Sequence, residues 1–154
     1  MRGIANCLAV ALALSACGGG ADESIAEPDY VKAHDIRQLM IVVVEPQANV
    51  YWDSAGLIID ATGEHDLAPT TDEGWFATRS AAATIAEIGN LLMTPQYAEG
   101  RSQDWMQFSR SLVEVGLKAE AAAADRDADA VLQVGGIMYN VCRACHQVYL
   151  PSAD

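Results

Sequence analysis

Cys142-Arg143-Ala144-Cys145-His146, close to the C-terminus, decides how the rest of this chain is read. Two cysteines three apart, with a histidine directly after the second, have the spacing for covalent attachment of a c-type haem. The surrounding residues are helical in pattern. On a helix, positions three and four apart share a face, so Cys142, Cys145 and His146 project together. Two thiols so placed form thioethers with the two vinyl groups on one porphyrin edge, and the imidazole of His146 is left to ligate the iron. Zinc and a thioredoxin-like dithiol are the alternatives. Structural zinc wants four ligands, usually two such pairs, and no second pair is present; His34 and His65 lie far away in the sequence. A dithiol motif follows a strand and opens a helix, whereas this one closes a helical pattern. Haem c, one per chain, is the cofactor the motif favours.

The 154 residues make one domain by the usual size prior, and a hydrophobic fraction of 51 % is enough for a core. The formal net charge is −12. Nucleic-acid binding runs on clustered Lys and Arg, so that function class is set aside. The acidity either keeps an exported protein soluble or steers a basic redox partner toward it. No Ser/His/Asp set, phosphate loop or paired-carboxylate site stands out, and an enzyme is not expected.

The N-terminus reads as an export signal. Arg2 is a short basic region, Ile4 to Leu14 an apolar run too short to span a bilayer as a lasting anchor. Leu14-Ser15-Ala16-Cys17 resembles a bacterial lipobox. That resemblance implies cleavage before Cys17 and acylation there, and two or three acyl chains anchor stably where one does not. A plain secretory signal with an incidental cysteine is the alternative. Gly18 rather than an aspartate after the cysteine points to the outer membrane. The expected organisation is therefore a signal segment over 1–16, a lipid-anchored tether over 17–28 and a helical domain over 29–150, facing the periplasm. Membrane contact is expected through the anchor alone. Cys7 leaves with the signal and Cys17 carries lipid, so no disulfide framework remains, although the compartment permits one.

Within the domain, Tyr30 to Val44 contains no helix breaker, and Val31, Ile36, Met40 and Val43 or Val44 recur at near-helical spacing. Pro46 should kink or interrupt this helix, with a second half over Gln47 to Ser54. Leu57-Ile58-Ile59 followed by Asp60-Ala61-Thr62-Gly63 suggests an extended segment and a turn. Thr70 and Glu73 have capping-box spacing for a helix to about Met93, burying Trp75, Ala82, Ile85, Ile88 or Gly89, and Leu92. Thr94-Pro95 ends it. Ser102 opens a third helix carrying Trp105, Phe108 or Ser109, Leu112, Val115 and Ala119. The last helix runs from Ala130 to about Tyr149, with Val134, Met138 or Ile137, Val141, Cys142 and Cys145 on one face, and Pro151 stops it. Gly135-Gly136 inside it costs about 1 kcal/mol per glycine relative to alanine, which anticipates close approach by another helix or by the porphyrin. Four amphipathic segments with short connections predict an all-α, antiparallel four-helix bundle.

Tyr139 to Tyr149, Tyr-Asn-Val-Cys-Arg-Ala-Cys-His-Gln-Val-Tyr, resembles the C-terminal haem helix of class II c-type cytochromes, the cytochrome c′ family. Arg37-Gln38-Leu39-Met40, with Pro46 and Trp52 beyond, is similar to that family's first helix. The resemblance spans roughly residues 29–150, dense at its two ends. It implies a four-helix bundle with covalently bound haem between first and last helices, often as a homodimer. The sequence departs at Leu150, where family members commonly carry Arg or Lys.

The remaining iron position separates two functions. A methionine thioether there closes the site and raises the potential, suiting one-electron transfer with a redox partner protein. An open or apolar position leaves five-coordinate iron that binds nitric oxide or carbon monoxide. In low-spin members of the family a first-helix methionine takes this role, and Met40 sits in the matching place. Met40 is equally a candidate for lining the pocket, since methionine fills irregular gaps, with Ile41 then facing the iron. Met93 and Met138 read as packing residues. Arg37, one turn before Met40 or Ile41, is either a haem-propionate contact or a solvated arginine. His34 and His65 read as surface or capped histidines, and the three tryptophans as core.

Overall fold

The computed structural model describes residues 30–150. The expected signal segment, Cys17, the tether and Pro151 lie outside the described residues.

The described chain is mostly helical. Its elements are α1 (Ile36–Leu39), a π-helical turn (Met40–Val44), α2 (Glu45–Trp52), β1 (Leu57–Asp60), β2 (Gly63–Asp66), α3 (Asp72–Leu92), α4 (Pro95–Ala98), α5 (Gln103–Ala124) and α6 (Ala128–Tyr149). No helix among the described residues is long and apolar enough to cross a membrane.

Helix starts follow local chemistry. The first helix begins at Ile36, later than the unbroken run from Tyr30 suggests, because Asp35 caps it. The Asp35 carboxylate accepts from the backbone N–H of Gln38 at 2.8 Å, satisfying a donor that has no intrahelical partner. Val31, expected on a buried helical stripe, is instead non-helical and exposed. At α3 the cap is Thr71, one residue past the expected Thr70, with its hydroxyl accepting from Gly74 N–H at 3.1 Å. Asp127 caps α6 by accepting from Ala130 N–H at 2.9 Å. Ser102 precedes α5 but its hydroxyl makes no cap bond; it lies 2.6 Å from the Tyr149 hydroxyl.

The long helices pack in a closed circuit: α3 against α5, α5 against α6, and α2 against both α3 and α6. Successive cross-contacts fix the α3–α5 direction. Arg79 pairs with Glu120 at 3.0 Å, Ala86 faces Gly116, and Trp105 Nε1 donates to the Leu92 carbonyl at 2.7 Å. As one index rises the other falls, so the helices are antiparallel. Gly89 and Gly116 permit the approach. A Cβ on Gly116 would fall 2.7 Å from Ala86 N, and one on Gly89 would fall 2.8 Å from the Ser109 carbonyl oxygen. The buried stripe of α3 runs through Ala81, Ala82, Ile85, Ala86, Ile88 and Leu92, that of α5 through Trp105, Leu112, Val115 and Ala119. Burying a side chain the size of Ile85 contributes about 1.5–3 kcal/mol, which is where most helix stability in proteins originates. Trp75, expected in the core, is half-buried.

Of the Gly135-Gly136 pair, the first has a clear reason. A Cβ there would meet Trp52 Cδ1 at 3.3 Å and Tyr51 Cε1 at 3.5 Å, and Trp52 Nε1 donates to the Gly135 carbonyl at 3.1 Å. Nothing lies within 4 Å of a Cβ on Gly136, and no contact explains that glycine.

The segment after α2 forms a small antiparallel hairpin, with Leu57 opposite Asp66 and Asp60 opposite Gly63. Gly63 has φ +131°, in the region that favours glycine. Its eight strand residues are all exposed, so the hairpin stands outside the core. Thr94 is followed by one helical turn, α4, rather than by a plain loop.

Candidate functional site

Cys142, Cys145 and His146 sit in the last two turns of α6 and open on one cavity. Its other walls come from the first helix (Met40, Val44), α3 (Leu92) and α5 (Trp105, Phe108, Ser109, Leu112). Met40, Cys142, Cys145 and His146 are thus brought together on one cavity. The cavity encloses about 50 Å³, room for a side-chain tip or a diatomic molecule. Its lining is apolar apart from Ser109, the two cysteines and His146. The Ser109 hydroxyl donates to the Trp105 carbonyl at 2.8 Å, so it offers no free donor to the cavity.

Both cysteines are unpaired and half-buried. Burial pushes the Cys142 thiol up to about 11, with the neighbouring Cys145 adding in the same direction. Burial also raises Cys145, while the positive charge of Arg101 works against it. Both therefore stand as neutral thiols near pH 7, one helical turn apart. His146 is exposed at the cavity rim, where its ring is free of the core.

Met40 is half-buried and lines the cavity. It opens the π turn, in which the Glu45 N–H bonds the Met40 carbonyl five residues back. Pro46 lies just beyond. Proline has no N–H to give and its ring crowds the carbonyl four residues earlier, so the helix widens before it and continues. The interruption expected from Pro46 is therefore a change of helical register and not a break.

Arg37 is exposed and is not among the cavity-lining residues. A cation that acts on the site is Arg101, which sequence reasoning did not single out. Its guanidinium lies 3.9 Å from the Trp105 ring centroid and 5.5 Å from that of Tyr149, and its Nε donates to the Tyr97 carbonyl at 3.1 Å. Trp105 and Tyr149 meet edge-to-face at 5.1 Å. This stack ties the start of α5 to the end of α6, next to the cysteine pair. No sequence signal could have located it, because Arg101 and Tyr149 are 48 positions apart (149 − 101). Ile41 points away, 51 % exposed.

The remaining candidates lie elsewhere. The His34 carbonyl accepts from the Tyr97 hydroxyl at 2.9 Å. His65 is exposed on the hairpin, 2.8 Å from the Thr62 hydroxyl. Met138 is fully buried in the core, and Met93 is half-buried at the C-terminal end of α3.

No protein-family model, curated protein or solved structure matches this chain.

The donor set and its surroundings fit a covalently held haem. Two neutral thiols share a helix face, an imidazole adjoins them, a thioether stands on another element, and the wall between is apolar. The enclosed volume is far below that of a macrocycle, so a porphyrin can be held only where the cavity opens.

Proposed function

We propose that this chain is a monohaem c-type cytochrome of the class II kind that transfers single electrons. In this reading it is a four-helix bundle with one haem c between its first and last helices. It faces the bacterial periplasm and is anchored, through acylated Cys17, to the outer membrane. Cys142 and Cys145 would supply the thioether sulfurs that hold the haem, and His146 and Met40 would ligate its iron. When bound, haem supplies an iron that alternates between two oxidation states one electron apart.

One observation carries this reading: Cys142, Cys145 and His146 from α6 and Met40 from the first helix all line one apolar cavity. The residues around them have distinct tasks. Val44, Leu92, Phe108 and Leu112 exclude water, which strengthens local electrostatics and favours the less charged oxidation state. Arg101 lies near Cys145 and is the residue placed to offset negative charge at that edge. The net charge of −12 suits a basic protein partner, since complementary charge steers encounter.

A second reading has one observation in its favour. The same apolar walls, with Ser109 already hydrogen-bonded within α5, would suit an open iron position that takes nitric oxide or carbon monoxide.

An absorption spectrum of the purified protein in both redox states tests the proposal. Electron transfer predicts a sharp low-spin spectrum with a weak sulfur–iron band in the oxidised form, lost in Met40→Ala. A broad high-spin spectrum that changes on adding carbon monoxide would favour the second reading. Replacing both Cys142 and Cys145 with serine should abolish haem staining on a denaturing gel; retained stain would refute covalent attachment.

A further inference from the structure

The first helix of this protein changes register one turn before Pro46, and the change decides which side chain meets the cavity. The buried residues of α2 and the π turn are Val44, Ala48 and Tyr51. Were the helix α throughout, the residues four and three before Val44, Met40 and Ile41, would flank that stripe. A π turn inserts one extra residue, which rotates everything upstream by about 100°. The burial pattern records the rotation. Leu39, five residues before Val44, is buried at 3 % exposure, whereas Ile41 is 51 % exposed. Met40 then falls between Leu39 and Val44 and lines the cavity.

We propose that Pro46 is a positioning residue: by enforcing the π turn it presents the Met40 thioether to the cavity and keeps Ile41 out of it. Two properties make proline suited to this. It lacks the N–H that would bond the Val42 carbonyl in an unbroken α-helix, and its ring crowds that same carbonyl. The wider turn over Met40–Val44 accommodates both. The alternative register is close in energy because Met40 would take the buried place of Leu39 while Ile41 took the cavity place of Met40; Leu/Met exchanges of this kind cost under about 1.5 kcal/mol. A helix with two near-equal registers and a proline choosing between them sets the chemistry of the site without touching it. One register offers sulfur, the other only hydrocarbon.

The inference rests on the haem reading of Cys142 to His146, and its test separates the two. In holoprotein, Pro46→Ala should lose the sulfur–iron band and gain a high-spin, carbon monoxide-responsive spectrum. Adding Ile41→Met to Pro46→Ala should restore the band, because position 41 then takes the cavity-facing place. Ile41→Met with Met40→Leu, in the presence of Pro46, should not show it. A Pro46→Ala protein that keeps its sulfur band, or a double variant that gains one while Pro46 is present, overturns the proposal. Alkylation of Ile41→Cys measures register without reference to iron. The introduced thiol should react several-fold more slowly when Pro46 is also replaced by alanine, and equal rates overturn the proposal even if Pro46→Ala holds haem poorly. Absence of covalent haem in the parent would defeat the haem reading, while the alkylation rates would still decide the register.

Discussion

Replacing Gly116 with alanine probes the packing that holds the cavity's longest wall in place. A Cβ at that position would sit 2.7 Å from Ala86 N, 2.8 Å from its Cα and 2.9 Å from its Cβ. Carbon atoms pack best at about 3.5–4 Å, so α3 and α5 would have to part by about 0.8 Å. Two of the three obstructing atoms are backbone, which cannot rotate away. Overpacking of this kind costs about 1–3 kcal/mol, and the gain in helix propensity from glycine to alanine returns up to about 1 kcal/mol. The net expectation is destabilisation by about 1–2 kcal/mol, a fall in melting temperature of roughly 5 °C for a domain this size. Thermal and urea unfolding followed by circular dichroism measure it. Ala86→Gly provides the control, since it removes only the Cβ and leaves the backbone N and Cα in the way. Gly116→Ala should therefore destabilise an Ala86→Gly background about as much as it does the parent. Because α5 carries Trp105, Phe108 and Leu112 into the cavity wall, the displacement should also broaden the near-ultraviolet signal of Trp105. Unchanged or raised stability in Gly116→Ala, or full rescue by Ala86→Gly, would refute the close-packing argument.

Three further expectations concern single side chains. Tyr51 is wholly buried and its hydroxyl has no partner among the described residues, so Tyr51→Phe should match or exceed the parent in stability at pH 7, by up to about 1 kcal/mol. Burial pushes that hydroxyl up to about 12, against about 10 in the unfolded chain. Between those values the unfolded state sheds a proton that the folded state keeps, so parent stability falls as pH rises from about 10. Urea midpoints of parent and Tyr51→Phe should diverge there, the variant falling less, and parallel curves would count against it. Arg101→Ala should cost about 1 kcal/mol through its lost stacking on Trp105 and Tyr149, with a changed near-ultraviolet spectrum. Arg101→Lys should recover only part, because an ammonium cannot stack as a planar guanidinium does. Asp127→Ala removes the cap of α6 and should lower stability by about 1 kcal/mol in urea unfolding, while Asp127→Asn should come close to the parent.

What the sequence determined by itself was local in origin. Cys142, Cys145 and His146 share a face because helical geometry places positions three and four apart together. The buried stripes through Ala82, Ile85 and Leu92, and through Trp105, Leu112 and Val115, follow from the same period. Pro46 announced an irregularity because the lost N–H is a property of the residue. Only the tertiary structure decided the rest. Whether proline breaks a helix or widens it depends on which side chains the surrounding core will bury, and here the core takes Leu39 and leaves Ile41 outside. Arg101 reaches the cysteine edge because α5 starts where antiparallel α6 ends, an adjacency invisible in a linear chain. Gly116 and Gly89 look like ordinary weak points of a helix until Ala86 and Ser109 are seen against them. Met40 shows both halves: its place on the first helix was legible, but its position on the cavity wall depends on a one-residue change of register. Periodicity alone cannot fix that register, because an α-helical stripe passes close to Met40 and Ile41 alike, and only packing tells them apart.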